Sequence, residues 1–137
     1  MPIFSPNKPK MQEQHLYEYA MIRIVPNLAR EEFLNVGVVV FSKRQKFIKV
    51  LWSINEERLH LFSGELDIDQ IRLNLECFEK VASGEKQGGA IAQFDITQRF
   101  RWLTATRSSA LQISKTHAGL SYDLEKTSQR LFEELVL

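Results

Sequence analysis

The run from 33 to 41, Phe-Leu-Asn-Val-Gly-Val-Val-Val-Phe, is the most apolar stretch of the chain. Consecutive valines and phenylalanines suit a pleated surface buried on both sides, so the pattern predicts an interior strand over 34–42. Before it, residues 15–25 read His-Leu-Tyr-Glu-Tyr-Ala-Met-Ile-Arg-Ile-Val, with Ala20, Ile22 and Ile24 on one face and Tyr17, Tyr19 and Met21 on the other. Pro26 cannot join a strand ladder and closes this segment. After it, the basic turn Lys43-Arg44-Gln45-Lys46 leads to a third strand over 47–52. Three strands with short links predict an antiparallel meander.

Beyond Trp52 the apolar period changes. Ile68, Ile71, Leu75, Phe78 and Ala82 recur in steps of three and four, which predicts a helix over 67–83 opened by Asp67 and stopped by Gly84. Residues 90–100 suit either an extended segment or a helix centred on 95–102. The alternation of 111–115 predicts a further strand, and residues 124–137 predict a terminal helix with Asp123 as its N-cap. The expected fold is therefore α+β: an antiparallel sheet of three to five strands covered by helices, in one domain over 15–137. Residues 1–14, with Pro2, Pro6 and Pro9, read as a disordered tail without the apolar core of a signal peptide.

Composition narrows the functional classes. The 137 residues carry 18 Lys and Arg against 17 Asp and Glu, a net charge of +1, so any affinity for nucleic acid or an anionic membrane has to come from a local patch. Cys77 is the single cysteine, which rules out an internal disulfide and points to a reducing, cytoplasmic setting. His15, His60 and His117 lack metal-ligand spacing, and the chain contains neither a nucleophile elbow nor a glycine-rich phosphate loop. No catalytic residue, metal or cofactor is legible.

Polar residues in unexpected places are the remaining candidates. Arg23 interrupts an apolar strand; its guanidinium needs partners, which Glu31 or Glu32 would supply as a bidentate pair unless Arg23 instead faces a pocket for an anion. Asn35 and Gly37, two residues apart on one strand, are expected to share a face and leave room for a cleft or a bulge. Arg99, Arg101 and Arg107 are interleaved with Phe100 and Trp102, a pattern that suits a phosphate or nucleotide patch, or else a buried aromatic stripe with a solvated basic face. His117 reads as a loop residue, either a general acid or base near neutral pH or an ordinary loop histidine, the commoner case.

Several segments together resemble a known family: 17–26 (Tyr-Glu-Tyr-Ala-Met-Ile-Arg-Ile-Val-Pro), 31–38 (Glu-Glu-Phe-Leu-Asn-Val-Gly-Val), 99–105 (Arg-Phe-Arg-Trp-Leu-Thr-Ala) and 117–120 (His-Ala-Gly-Leu). The chain resembles the bacterial domain-of-unknown-function family 3037. The resemblance implies that Arg23, Glu31, Glu32, Asn35, Gly37, Arg99, Arg101, Trp102, Arg107 and His117 occupy pattern positions. It also implies a genomic association with a HipA-like kinase-domain protein. The expected function is that of a non-catalytic accessory or interaction protein, with a kinase-like partner implied by the resemblance. The alternative is a phosphate- or nucleotide-recognising domain, an enzyme or nucleic-acid binder among its forms, using an arginine-rich pocket. An unprotected edge strand leaves a homodimer open.

Overall fold

A computed structural model describes residues 13–26, 32–105 and 110–137. The segment 1–12 of the expected tail lies outside the described residues, as do Glu31 and Arg107. Strands β1 (His15–Ile24), β2 (Leu34–Ser42) and β3 (Phe47–Trp52) form the meander that the alternation predicts. β2 lies between the other two, and seven of its nine residues are buried, from Val36 to Ser42.

The free edge of β1 is filled by two short collinear strands, β4 (Leu111–Ile113) and β5 (His117–Ser121), both antiparallel to it. Between them the Ser114 side chain takes over from the ladder: its Oγ accepts from the Met21 N–H at 2.8 Å, while its own N–H donates to the Met21 carbonyl at 2.9 Å. Thus the strand expected over 111–115 is shorter, and His117, expected in a loop, begins a strand.

Helices cover both faces of the sheet. α1 (Glu56–Phe62), α2 (Ile68–Ser83) and α3 (Ile96–Thr104) pack on the face formed by Ala20, Ile22, Ile24, Val39 and Phe41, where Leu59, Leu75 and Leu103 are fully enclosed. α4 (Leu124–Leu135) packs on the opposite face against Tyr17, Val38 and Val40. This is the α+β architecture expected from the pattern.

Helix ends follow the sequence signals. Asp67, Asp95 and Asp123 each accept a backbone N–H three residues ahead, and Gly84 adopts the left-handed conformation (φ 75°) that ends α2. The ambiguity over 90–100 resolves into a 3₁₀ turn (Ile91–Gln93) followed by α3, because the Asp95 cap starts a helix whose Phe100 and Leu103 face the core.

One irregularity organises the upper end of the sheet. Ile22 pairs with Gly37 and Arg23 with Asn35, so Val36 is an extra residue, a β-bulge. The bulge reverses the expected phase. Asn35 faces α4, and Gly37 faces Ile22 and Trp52 on the other side, so the two do not share a face as the simple alternation requires. Gly37 opens no cleft: a Cβ there would stand 2.9 Å from the Leu51 carbonyl oxygen and 3.1 Å from Ile22 Cδ1. Among the described residues no helix is long and apolar enough to cross a membrane.

Candidate functional site

The sheet outruns its helical cover at one end. On the α2/α3 side Ala20, Ile22 and Ile24 are buried, but the same row of β1 continues into Glu18 and Leu16, both exposed. Leu16 pairs with Leu120 of β5, and the two remain 63% and 59% exposed although they are large and apolar. Between this bare end and α3 runs an open groove of about 1000 Å³. Its floor is Leu16, Glu18, Phe41 and Leu120; Thr97, Phe100, Arg101 and Thr104 of α3 form one wall, and Lys43, Arg44 and Gln45 of the β2–β3 turn form another. Phe41 and Phe100 stack at the bottom with ring centroids 4.4 Å apart and planes 14° from parallel.

The groove combines apolar surface with positive charge at its rim. Lys43, Arg44 and Arg101 are exposed, and among the described residues no carboxylate is ion-paired with any of them. Three cations therefore face solvent beside an aromatic floor. Glu18, on the strand itself, and Glu13, just before it, are the counterweights.

Of the candidate site residues that are described, the structure brings Arg101 alone into this groove. Arg99 points the other way, since residues two apart on a helix are separated by roughly 200°. Its Nη1 donates to the carbonyls of Ala82 (2.9 Å) and Val81 (3.2 Å), satisfying the last turn of α2. Trp102, half-buried, leans edge-on against Phe78, centroids 5.8 Å apart, and packs against the core on that side. The interleaved arginines and aromatics of α3 are thus distributed around the helix rather than gathered on one face.

Arg23 and Asn35 lie at the opposite end of the sheet. The Arg23 guanidinium sits 4.0 Å over the Phe33 ring, and among the described residues no carboxylate is ion-paired with it. Of the two partners expected for a bidentate match, Glu32 does not make it, and Glu31 lies outside the described residues. Glu32 itself is exposed. Asn35 Nδ2 donates to the Leu135 carbonyl at 3.2 Å, tying β2 to the end of α4. Among the described residues, the buried Arg23 Nε, Asn35 Oδ1 and Arg99 Nε have no hydrogen-bond partner. His117 pairs with Tyr19 on the α4 side, ring centroids 5.2 Å apart, so it turns away from the groove although its neighbour Thr116 lines it. Among the described residues no three His, Cys, Asp or Glu side chains are gathered to hold a metal ion.

Sequence reasoning missed most of the groove. Lys43 and Arg44 were legible only as a basic hairpin turn, and Leu16 and Leu120 as alternating strand residues. The available signal was that Leu16 and Leu120 keep the apolar phase at strand ends where polar residues usually take over.

The family described as "Protein of unknown function (DUF3037)" matches residues 19–136, which includes every described element except the first residues of β1. No curated protein and no solved structure matches the chain.

Proposed function

Because the chain belongs to the DUF3037 family, whose description names no activity, we propose from the site itself that it is a non-catalytic interaction domain. In this reading the groove between α3 and the bare end of the sheet receives a segment of a protein partner. The observation that carries the reading is the exposure of Leu16 and Leu120 on the floor of a groove rimmed by cations that no carboxylate among the described residues pairs with. Side chains of this size, side by side in a concavity, mark a surface for contact rather than the scattered exposure found on any protein. A segment with an apolar anchor and flanking carboxylates matches both features. The kinase-like, HipA-like partner implied by the resemblance is the first candidate, met in a reducing cytoplasm.

A second reading has its own support. The cations Lys43, Arg44 and Arg101 beside the stacked Phe41 and Phe100 also suit a phosphate-bearing ligand with an aromatic ring, such as a nucleotide.

Co-purification from the native host separates the two. The wild-type chain is expected to retain a stoichiometric protein that Leu16→Asp and Arg101→Glu lose, while Asn35→Ala, at the other end of the sheet, keeps it. Retention by all variants, or isolation of the wild-type chain alone, contradicts the interaction reading. A melting temperature raised by nucleotides in the wild type but not in Arg44→Glu favours the second.

A further inference from the structure

Large apolar side chains bare at a strand end are commonly the loose end of a sheet, where the backbone is tied to little. Leu16 and Leu120 differ, because each sits beside a buried serine whose hydroxyl holds the local backbone. The β1–β2 register ends with Glu18 opposite Phe41. Beyond it a side chain continues the link: Ser42 Oγ, at the end of β2, donates to the Leu16 carbonyl at 2.8 Å, and Ser42 is only 2% exposed. On the other side, Ser121 follows Leu120. Its Oγ accepts the Asp123 N–H at 3.0 Å and lies 2.5 Å from Thr127 Oγ1, joining the end of β5 to the start of α4. The two leucines therefore combine exposed side chains with an anchored backbone.

We infer that Ser42 is a positioning residue for the groove, its hydroxyl holding Leu16 where the side chain meets the apolar anchor of an acidic peptide segment. The inference rests on the groove reading and adds the residue on which selection of a leucine-sized anchor depends. Ser42 acts through the Leu16 backbone and needs no contact with the ligand. A contact residue fixed before binding loses less freedom when the ligand arrives, which raises affinity without adding a contact. Ser42 also directly precedes Lys43 and Arg44, so the same bond ties the apolar floor to the turn that carries two of the rim cations. Ser121 plays the corresponding part for Leu120, but its hydroxyl serves the entry to α4 as well, and its loss would reach the fold. The Ser42 hydroxyl is the one whose removal isolates the groove.

Isothermal titration of the full chain with the synthetic peptide Gly-Glu-Glu-Leu-Glu-Glu-Gly, and with its counterpart carrying alanine for leucine, tests this as a double-mutant cycle. The wild-type chain is expected to bind the leucine peptide about tenfold more tightly than the alanine peptide. Ser42→Ala is expected to weaken binding of the leucine peptide about fivefold, with the alanine peptide nearly unaffected. Leu16→Ala removes the preference between the peptides, and Ser42→Ala added to it changes nothing further, because a residue acting through the Leu16 side chain then has nothing to act on. Ser42→Thr, which keeps the hydroxyl, restores the preference. Thermal unfolding separates this from a merely structural role, since the lost bond to the residue-16 carbonyl lowers the melting temperature equally in both backgrounds while binding responds in one alone. A leucine preference that survives Ser42→Ala overturns the inference and leaves the groove reading standing. So does a loss of affinity of equal size in the Leu16→Ala background. A wild-type chain that binds neither peptide, or both alike, sinks the groove reading and the inference with it.

Discussion

Replacing Gly37 by valine is expected to lower stability by about 1–3 kcal/mol or more, among the largest effects of any single change to the sheet. The cause is space rather than backbone conformation. The Cβ alone meets the Leu51 carbonyl oxygen at 2.9 Å and both Ile22 Cδ1 and Trp52 Cβ at 3.1 Å, and the carbonyl belongs to a paired neighbouring strand that cannot rotate away. Relief requires opening the β2–β3 ladder beside the Val36 bulge. Gly64→Ala is the control, because nothing lies within 4 Å of its Cβ. Urea unfolding should show a midpoint well below wild type for Gly37→Val and nearly unchanged for Gly64→Ala at equal slopes. Equal midpoints for the two would mean that the bulge does not close on Gly37 as described.

Arg99→Ala is expected to cost about 2 kcal/mol, whereas Arg101→Ala, two residues along the same helix, should stay within roughly 0.5 kcal/mol of wild type. Arg99 is the charged donor to the last carbonyls of α2, and it joins two helices whose inner faces are both core. Removing it leaves the carbonyls of Val81 and Ala82 without that donor, in part-buried surroundings, and withdraws a positive charge from a helix C-terminus. Arg99→Lys keeps the charge but not the reach of Nη1, which makes both bonds, and should recover only part of the loss. Arg101 is exposed and lines the groove, so its loss should leave stability nearly unchanged. Thermal unfolding of the three variants checks the division: comparable losses at 99 and 101 would contradict it.

What the sequence revealed depended on how local the responsible interaction is. The meander and α2 were legible because Val38 to Phe41, and the series from Ile68 to Ala82, carry their own period and their own caps. β5 was not legible, since His-Ala-Gly-Leu-Ser has no strand preference and is extended only because β1 offers it a ladder. The bulge at Val36 was equally hidden. One extra residue changes no composition, yet it moved Asn35 and Gly37 to opposite faces and dissolved the cleft their spacing implied. Arg99 and Arg101 show the same limit on a helix, where closeness in sequence places side chains on opposite sides. The groove assembles β1, the turn after β2, α3 and the approach to β5, four segments that no single window contains. The family resemblance reached the right family while pointing at residues that the fold distributes between two ends of the sheet.

On the proposed function, contact with a partner is made at the bare end of the sheet, between α3 and Leu16 and Leu120, and not at the end that holds Arg23 and Asn35. Amide hydrogen exchange of the chain, compared alone and with the protein it retains from the native host, tests this most directly. Slowed exchange is expected at 16–18, 43–45 and 116–120, with Asn35 and the end of α4 unchanged. Protection confined to Asn35, Phe33 and the last turn of α4, with the groove segments unaffected, would contradict it.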